Sequence, residues 1–230
     1  MRFTNIILFI SFSLGLAASA GTQGVGQQQP RCTQASPYAD RIMRDVANIA
    51  QTLARLPYYE LCRTLDVPNA AATVFPVRTP RGPQPKFMVY YNPQWAATAD
   101  VSVANDFALI GVFAHEVGHI EHFANLYNPR NPGAVQQAQR NLHMPHQKEL
   151  RADWFAGAVL ARMGASVDDV VSVQRIIFSL HTTRNYPPST VRLEHMLRAY
   201  SQHRRTPMSN REIQRRVGAA ADLRSKYIRW

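Results

Sequence analysis

Hydrophobic residues recur every three or four positions along several stretches of this chain, which is the spacing of one helix face. The first stretch opens at Ser36-Pro37, a capping residue followed by proline in the first turn. A later stretch stops at Gly164, because glycine readily takes the left-handed conformation that ends many helices. The pattern predicts helices over 36–57, 105–122 and 149–163, from 166 onward, after Pro187-Pro188, and from 209 toward 230.

Two runs of β-branched and aromatic residues, 73–75 and 87–91, predict strands. Between them lies the segment TPRGPQP, residues 79–85, whose prolines and glycine favour a turn. The two strands are therefore expected to form an irregular hairpin. Because helices dominate the rest of the chain, we predict a mostly helical α+β fold with a small β-hairpin or sheet.

The first twenty residues have the organisation of an export signal. Met1-Arg2 supplies a positive start, 6–16 is an apolar run, and Ala18-Ser19-Ala20 resembles a cleavage site. We predict a signal peptide over 1–20, with a retained N-terminal anchor as the alternative. Residues 21–35 are rich in Gly and Gln and are expected to be flexible. The remaining residues, 36–230, are enough for one domain.

Cysteine usage agrees with export to the periplasm or the medium. Cys32 and Cys62 are the two cysteines of the chain. An exported protein meets an oxidising environment, so we expect them to form one disulfide, with two unpaired thiols as the alternative.

The chain is strongly basic, with 26 Lys plus Arg against 15 Asp plus Glu. Attraction to an anionic envelope polymer or a membrane surface would explain this excess, and so would solvated helix faces. No nucleic-acid-binding motif accompanies the charge, so no nucleic-acid partner is expected. Most of the excess lies in the last forty residues, at Arg204, Arg205, Arg211, Arg215, Arg216, Arg224, Lys226 and Arg229.

The predicted helix 105–122 carries the pattern H-E-x-x-H. On a helix, His115 and His119 lie one turn apart on the same face, so both can bind one Zn²⁺ at about 2.0–2.1 Å. Glu116 lies too far round the helix to be a third ligand, but it can reach the water that a catalytic zinc keeps. The pattern therefore predicts one zinc ion per chain, with Glu116 as general base.

The third zinc ligand must come from another segment. A metzincin would have glycine and histidine at the positions where this chain has His122 and Asn125, so that pattern fails. Glu149 begins the motif ELRAD, and Asp153 lies one turn further on the same face. We predict that Glu149 binds zinc while Asp153 accepts a hydrogen bond from a ligating histidine. The rival third ligands are His143 and His146.

Further functional residues are predicted next to the two consecutive prolines at 187 and 188. Tyr186 and Arg192 flank Pro187-Pro188, and either side chain could donate to a developing oxyanion. The alternative is a capped turn in which the arginine forms a salt bridge. An extended substrate can add to a sheet edge by main-chain hydrogen bonds, and we place that edge at the predicted hairpin.

Four blocks, in order, resemble the gluzincin zinc peptidases of the CAAX-prenyl-protease type and their small soluble bacterial relatives. Asn69-Ala70-Ala71-Ala72 resembles the family's edge strand, HEVGH and ELRAD its zinc motifs, and YPPSTVR its H-P-P-x-x-x-R segment. The resemblance spans about residues 66–200. The membrane-spanning helices of the large family members are absent, so the prenylated substrates of those members are not expected here.

The resemblance implies a zincin-like domain with zinc at His115, His119 and Glu149, Glu116 as base, and Asp153 behind the ligands. It also implies that the edge strand, at Asn69, Ala70 and Ala71, binds substrate and that Arg192 lies near the site. Tyr186 stands where the family usually has histidine, although a phenol can make the same donation.

These observations predict an exported zinc metalloendopeptidase that hydrolyses peptide bonds through an activated water. Two alternatives remain open. One is a non-catalytic zinc-containing binding protein of the cell envelope. The other is a zinc amidase that acts on cell-wall peptides.

Overall fold

A computed structural model describes residues 32–33, 37–80, 82–102, 106–126, 145–178 and 186–227. The predicted signal peptide and most of the predicted flexible segment lie outside these residues. The described residues form seven helices and a three-stranded sheet, so the predicted α+β class is confirmed. In chain order they are α1 (Pro37–Leu53), β1 (Tyr59–Arg63), β2 (Ala70–Thr79), β3 (Gly82–Tyr91), α2 (Pro93–Ser102), α3 (Phe107–Leu126), α4 (Pro145–Arg162), α5 (Val167–Phe178), α6 (Ser189–His203) and α7 (Asn210–Tyr227).

The predicted hairpin is present, but its turn is much shorter than TPRGPQP. Strand β2 runs antiparallel to β3 and ends at Thr79, and β3 begins at Gly82. Pro83 and Pro85 therefore pair as strand residues, with Arg78 and Pro76. Strand β1 pairs with β3 only over 87–91, so it does not run beside either proline. A missing N–H costs no ladder bond at such a position, so proline is tolerated there.

Strand β1 was not predicted from the sequence. It is five residues long and pairs in parallel with β3, giving the sheet order β1-β3-β2. Strand β2 is therefore an edge of the sheet, as the predicted hairpin edge required. Helix α2 was also missed, although Asn92-Pro93 carries a helix-start signal. The Asn92 side chain accepts a hydrogen bond of 2.9 Å from the N–H of Gln94.

Helix α3 is the centre of the hydrophobic core. Its residues are apolar on nearly every face, and almost all of them from 108 to 121 are buried. Helices α1, α4 and α5 and the hairpin pack around it. Gly157 on α4 lies against the main chain of Met196 on α6, where a side chain would not fit. Helix α4, which packs on the central helix, is therefore itself in close contact with α6.

Three helix boundaries follow the predicted signals, whereas α1 ends earlier than predicted, at Leu53, and α3 continues beyond 122 to Leu126. Gly164, two residues beyond the end of α4, has a φ of 83°, as its predicted role as the helix stop requires. Ser166 starts α5 with a capping box, because its Oγ accepts from the N–H of Asp169 while the Asp169 side chain accepts from the N–H of Ser166. Helix α6 begins directly after Pro187-Pro188.

The predicted disulfide between Cys32 and Cys62 is present. Next to it, Thr33 pairs with Arg63 by two main-chain hydrogen bonds of 2.9 and 3.2 Å. The disulfide and this bridge fasten the N-terminal segment to strand β1. None of the helices in the described ranges combines the length and the apolar character needed to cross a membrane.

The basic residues of α7 are partly neutralised by neighbouring acids. Arg215 and Arg216 both donate to the carboxylate of Glu212, and Arg216 also pairs with Asp168 on α5. These contacts are those of a solvated helix face, and attraction to an anionic surface stays a prediction.

Candidate metal centre

Helices α3 and α4 bring together the three predicted zinc ligands. The Nε2 atom of His115 lies 3.4 Å from Oε2 of Glu149, and Nε2 of His119 lies 3.7 Å from Oε1 of the same carboxylate. One ligand atom from each of the three residues lies within 4.8 Å of the others. All three are buried, with exposed fractions of 3% for His115, 8% for His119 and 3% for Glu149.

This group fits a zinc ion in both chemistry and size. Two imidazoles and one carboxylate are the ligand set of several catalytic zinc sites. Ligands about 2.0–2.1 Å from a tetrahedral ion are themselves about 3.4 Å apart, close to the separations between the histidines and Glu149. The described residues therefore form a buried site that could hold a metal ion. Assignment of the metal as zinc stays a prediction.

Of the two rival ligands, His143 lies outside the described residues. His146 is exposed in the first turn of α4 and does not belong to the buried group.

Asp153 lies behind the predicted ligand His115, at the place expected for it. Its Oδ1 atom is 3.1 Å from Nδ1 of His115, on the opposite side of the ring from the atom that faces Glu149. Donation of an Nδ1 proton to this carboxylate would leave Nε2 free to bind a metal. Asp153 is completely buried, so its position is well defined by the packing of α4.

Arg192 forms the salt bridge that was one of its two expected roles. Its Nε donates to Oδ2 of Asp153 at 2.7 Å, and its Nη2 donates to Oε2 of Glu149 at 2.9 Å and to Oδ1 of Asp153 at 2.9 Å. The side chain is only 2% exposed. Arg192 on α6 therefore ties Glu149 to Asp153, the carboxylate that lies beside His115.

Glu116 points into the same cavity as His115 and Glu149. Its Oε2 accepts a hydrogen bond of 2.6 Å from the main-chain N–H of Ala72 on β2. Burial raises the pKa of Glu116, and the charge of Glu149 adds to this, while His115 and the Ala72 N–H act in the opposite direction. A carboxylate with a raised pKa beside a metal site is well suited to accept and return a proton.

The buried ligands shift one another's titration. Burial lowers the pKa of His115, but Asp153 and Glu149 outweigh this and raise it to about 9. Burial holds the pKa of His119 well below its ordinary value. Burial opposes ionisation of Glu149, yet the charges of the two histidines and Arg192 lower its pKa. The carboxylates of Asp153 and Glu149 thus favour the protonated form of His115 in the metal-free chain.

Tyr186 lines the same cavity and is half-buried. Burial and then the charge of Glu149 raise the pKa of its phenol to about 12. The hydroxyl therefore keeps its proton at neutral pH and can donate a hydrogen bond, as its predicted role requires.

The expected edge-strand residues lie beside this centre. Asn69 and Ala70 line the cavity, whereas Ala71 does not. Ala72, which belongs to the same sequence block but was not singled out, makes the contact with Glu116. Strand β2 therefore borders the centre at the place predicted for a substrate-binding edge.

An apolar wall of the cavity was not predicted. It combines side chains from three helices, and these residues are separated by up to 82 positions in the sequence, so no local pattern connects them. The helix-start signal Asn92-Pro93 could have predicted helix α2, which carries Trp95, but not the direction in which that helix runs. The wall consists of Trp95, Val112, Ile176 and Ile177.

Comparisons of this chain with protein-family models, with curated proteins and with solved structures gave no match.

Proposed function

We propose that this chain is an exported zinc-dependent metallopeptidase. The convergence of His115, His119 and Glu149 around one buried point, with Glu116 in the same cavity, carries this proposal. Three ligands leave a tetrahedral ion one position for water, which is the arrangement of catalytic rather than structural zinc sites. The disulfide between Cys32 and Cys62 supports the exported location, since disulfides persist in oxidising compartments.

The side chains around the centre have separable roles in peptide hydrolysis. A zinc ion held by the three ligands would polarise the scissile carbonyl and acidify the attacking water. Glu116 takes a proton from that water and delivers it to the leaving amine. Tyr186 donates its hydroxyl proton in a hydrogen bond to the oxyanion that develops on the carbonyl oxygen. Asp153 orients His115, and Arg192 holds Asp153 and Glu149 in place.

The apolar wall indicates which peptides fit. Trp95, Val112 and the two isoleucines of α5 form one side of the cavity that also contains Glu116. Transfer of apolar surface from water to such a wall is favourable, at about 25 cal/mol per Å². A peptide with an apolar side chain next to the scissile bond is therefore the preferred substrate.

The first test is the metal content of the purified chain, measured by mass spectrometry together with the Glu149→Ala variant. We expect one zinc per native chain and a greatly weakened site in the variant, because Glu149 supplies the acidic ligand. Absence of zinc in the native chain after repletion would contradict the proposal.

The second test is turnover of a mixed peptide library by the zinc-loaded chain. Glu116→Gln keeps the ligands and should retain zinc while abolishing cleavage, because an amide cannot act as the base. A zinc-bound native chain that is inert to every peptide would instead favour the envelope-binding protein. Cleavage limited to cell-wall fragments would favour the amidase.

A further inference from the structure

The main chain of the sheet edge contacts Glu116 directly. The N–H of Ala72 donates to Oε2 of Glu116 at 2.6 Å, and this bond joins residues 44 positions apart. Glu116 is 4% exposed, and Ala72 is half-buried. Because the carboxylate is buried, this bond competes little with water at Glu116, so it fixes one oxygen of the carboxylate.

The pairing of β2 explains why the N–H of Ala72 is available. The carbonyl of Asn69 accepts a hydrogen bond from the N–H of Asn92, so this pair is hydrogen-bonded across the ladder. Hydrogen-bonded and non-bonded pairs alternate along an antiparallel ladder. The main-chain groups of Ala71 and Thr73 therefore face β3, and those of Ala70 and Ala72 face away from it.

A proline in β2 shows that this strand does not need an N–H at the outward positions. Pro76, four residues beyond Ala72, has the same outward phase and pairs with Pro85 of β3. Proline has no N–H, and at such an edge position it costs no ladder bond. The N–H of Ala72 thus contributes to Glu116 and not to the pairing of the sheet.

We propose that Ala72 is a positioning residue, whose main-chain N–H holds one oxygen of Glu116 so that the other oxygen faces the reacting water. This inference rests on the proposed peptidase function for its catalytic consequence. A glutamate side chain has three rotatable bonds, and on α3 alone it could turn away from the ligands. The bond from β2 selects one orientation before substrate arrives, which is the preorganisation that proton transfer needs.

Replacement of Ala72 by proline removes this N–H while leaving the ladder bonds of β2 intact. In Ala72→Pro we expect kcat to fall about 10- to 100-fold, with KM and zinc affinity little changed. Ala72→Val keeps the N–H and adds comparable bulk, so it should keep most of the native kcat. A native kcat in Ala72→Pro, or an equal loss in Ala72→Val, would overturn the proposal.

Amide hydrogen exchange in the zinc-free chain tests the bond without any turnover. The Ala72 amide should exchange about tenfold faster in Glu116→Ala than in the native chain, and Glu116→Gln should restore protection because its amide oxygen still accepts. The Ala71 and Thr73 amides, which face β3, are internal controls that should not change. Unchanged exchange at Ala72 in Glu116→Ala would overturn the proposal. The exchange measurement tests the bond even if Ala72→Pro does not fold. It also tests the bond if the native chain cleaves no peptide, a result that would count against the proposed function alone.

Discussion

Gly118 of α3 and Ala152 of α4 are in main-chain contact, since a Cβ added to Gly118 would lie 2.8 Å from the Cα of Ala152. Each residue directly precedes a residue of the centre, His119 and Asp153. The close approach of the two helices thereby brings Glu149 within 3.4 Å of His115 and 3.7 Å of His119. The glycine of HEVGH is thus a packing requirement of the metal centre.

We expect Gly118→Ala to weaken zinc binding by about tenfold or more. The new methyl group meets main-chain atoms of Ala152, which cannot rotate away, so α3 and α4 must separate and the ligands with them. Metal affinity can be measured by competition with a chromophoric chelator.

Gly218→Ala is the matched control for this change. Gly218 lies exposed in α7, and an added Cβ has no atom within 4 Å. Alanine should stabilise that helix by up to about 1 kcal/mol and leave zinc affinity unchanged. Equal zinc affinities in the two variants would mean that the helix spacing does not set the site.

We expect Arg192→Ala to destabilise the zinc-free chain by about 3–5 kcal/mol, because it leaves the buried carboxylates of Asp153 and Glu149 without their cation. Arg192→Lys keeps the charge but loses the paired geometry, so its loss should be intermediate. Urea unfolding measures both. A full loss of turnover with native stability would instead support the oxyanion role.

The residues that form the buried His-His-Glu group could be predicted from the sequence because the information is local. His115 and His119 lie on one helix, and Glu149 and Asp153 lie on another, so the helical repeat alone puts each pair on one face. The caps at Gly164 and Ser166 are local in the same way, because each depends on the conformation or side chain of a few neighbouring residues.

The rest of the site depends on contacts between distant segments. The bond from Ala72 to Glu116 requires β2 to lie beside α3 in one register, which no short pattern encodes. The apolar wall likewise needs α2 and α5 to meet at α3. Strand β1 was missed because five residues without clear alternation become a strand only through pairing with β3.

Ile176 tests the expected preference for apolar substrates. We expect Ile176→Asp to lower kcat/KM for peptides with an apolar side chain next to the scissile bond by roughly 10- to 200-fold, because a charge would then face that side chain. Ile176→Val keeps the apolar wall and should have a small effect. Zinc content should be native in both variants. If Ile176→Asp ranks peptides by kcat/KM in the same order as the native chain, the apolar wall does not determine the substrate preference.

The stability of the zinc-free chain should fall as the pH rises above neutrality. The pKa of His115 is raised from 6.5 to about 9, so its proton stabilises the folded state. That contribution, on the order of 3 kcal/mol, is complete below pH 6.5 and disappears as the pH rises through about 9. Urea unfolding between pH 7 and 9.5 should show this decline.

The variant His115→Gln cannot be protonated and should lack that part of the decline. Zinc binding should remove the decline as well, because only the neutral imidazole binds the metal. The same proton must leave when zinc enters, so the apparent zinc affinity should rise about tenfold for each pH unit until about pH 9. An affinity that does not change between pH 6.5 and 8.5 would show that His115 is already neutral in the folded chain. The ion pair with Asp153 and Glu149 would then be too weak to hold the proton.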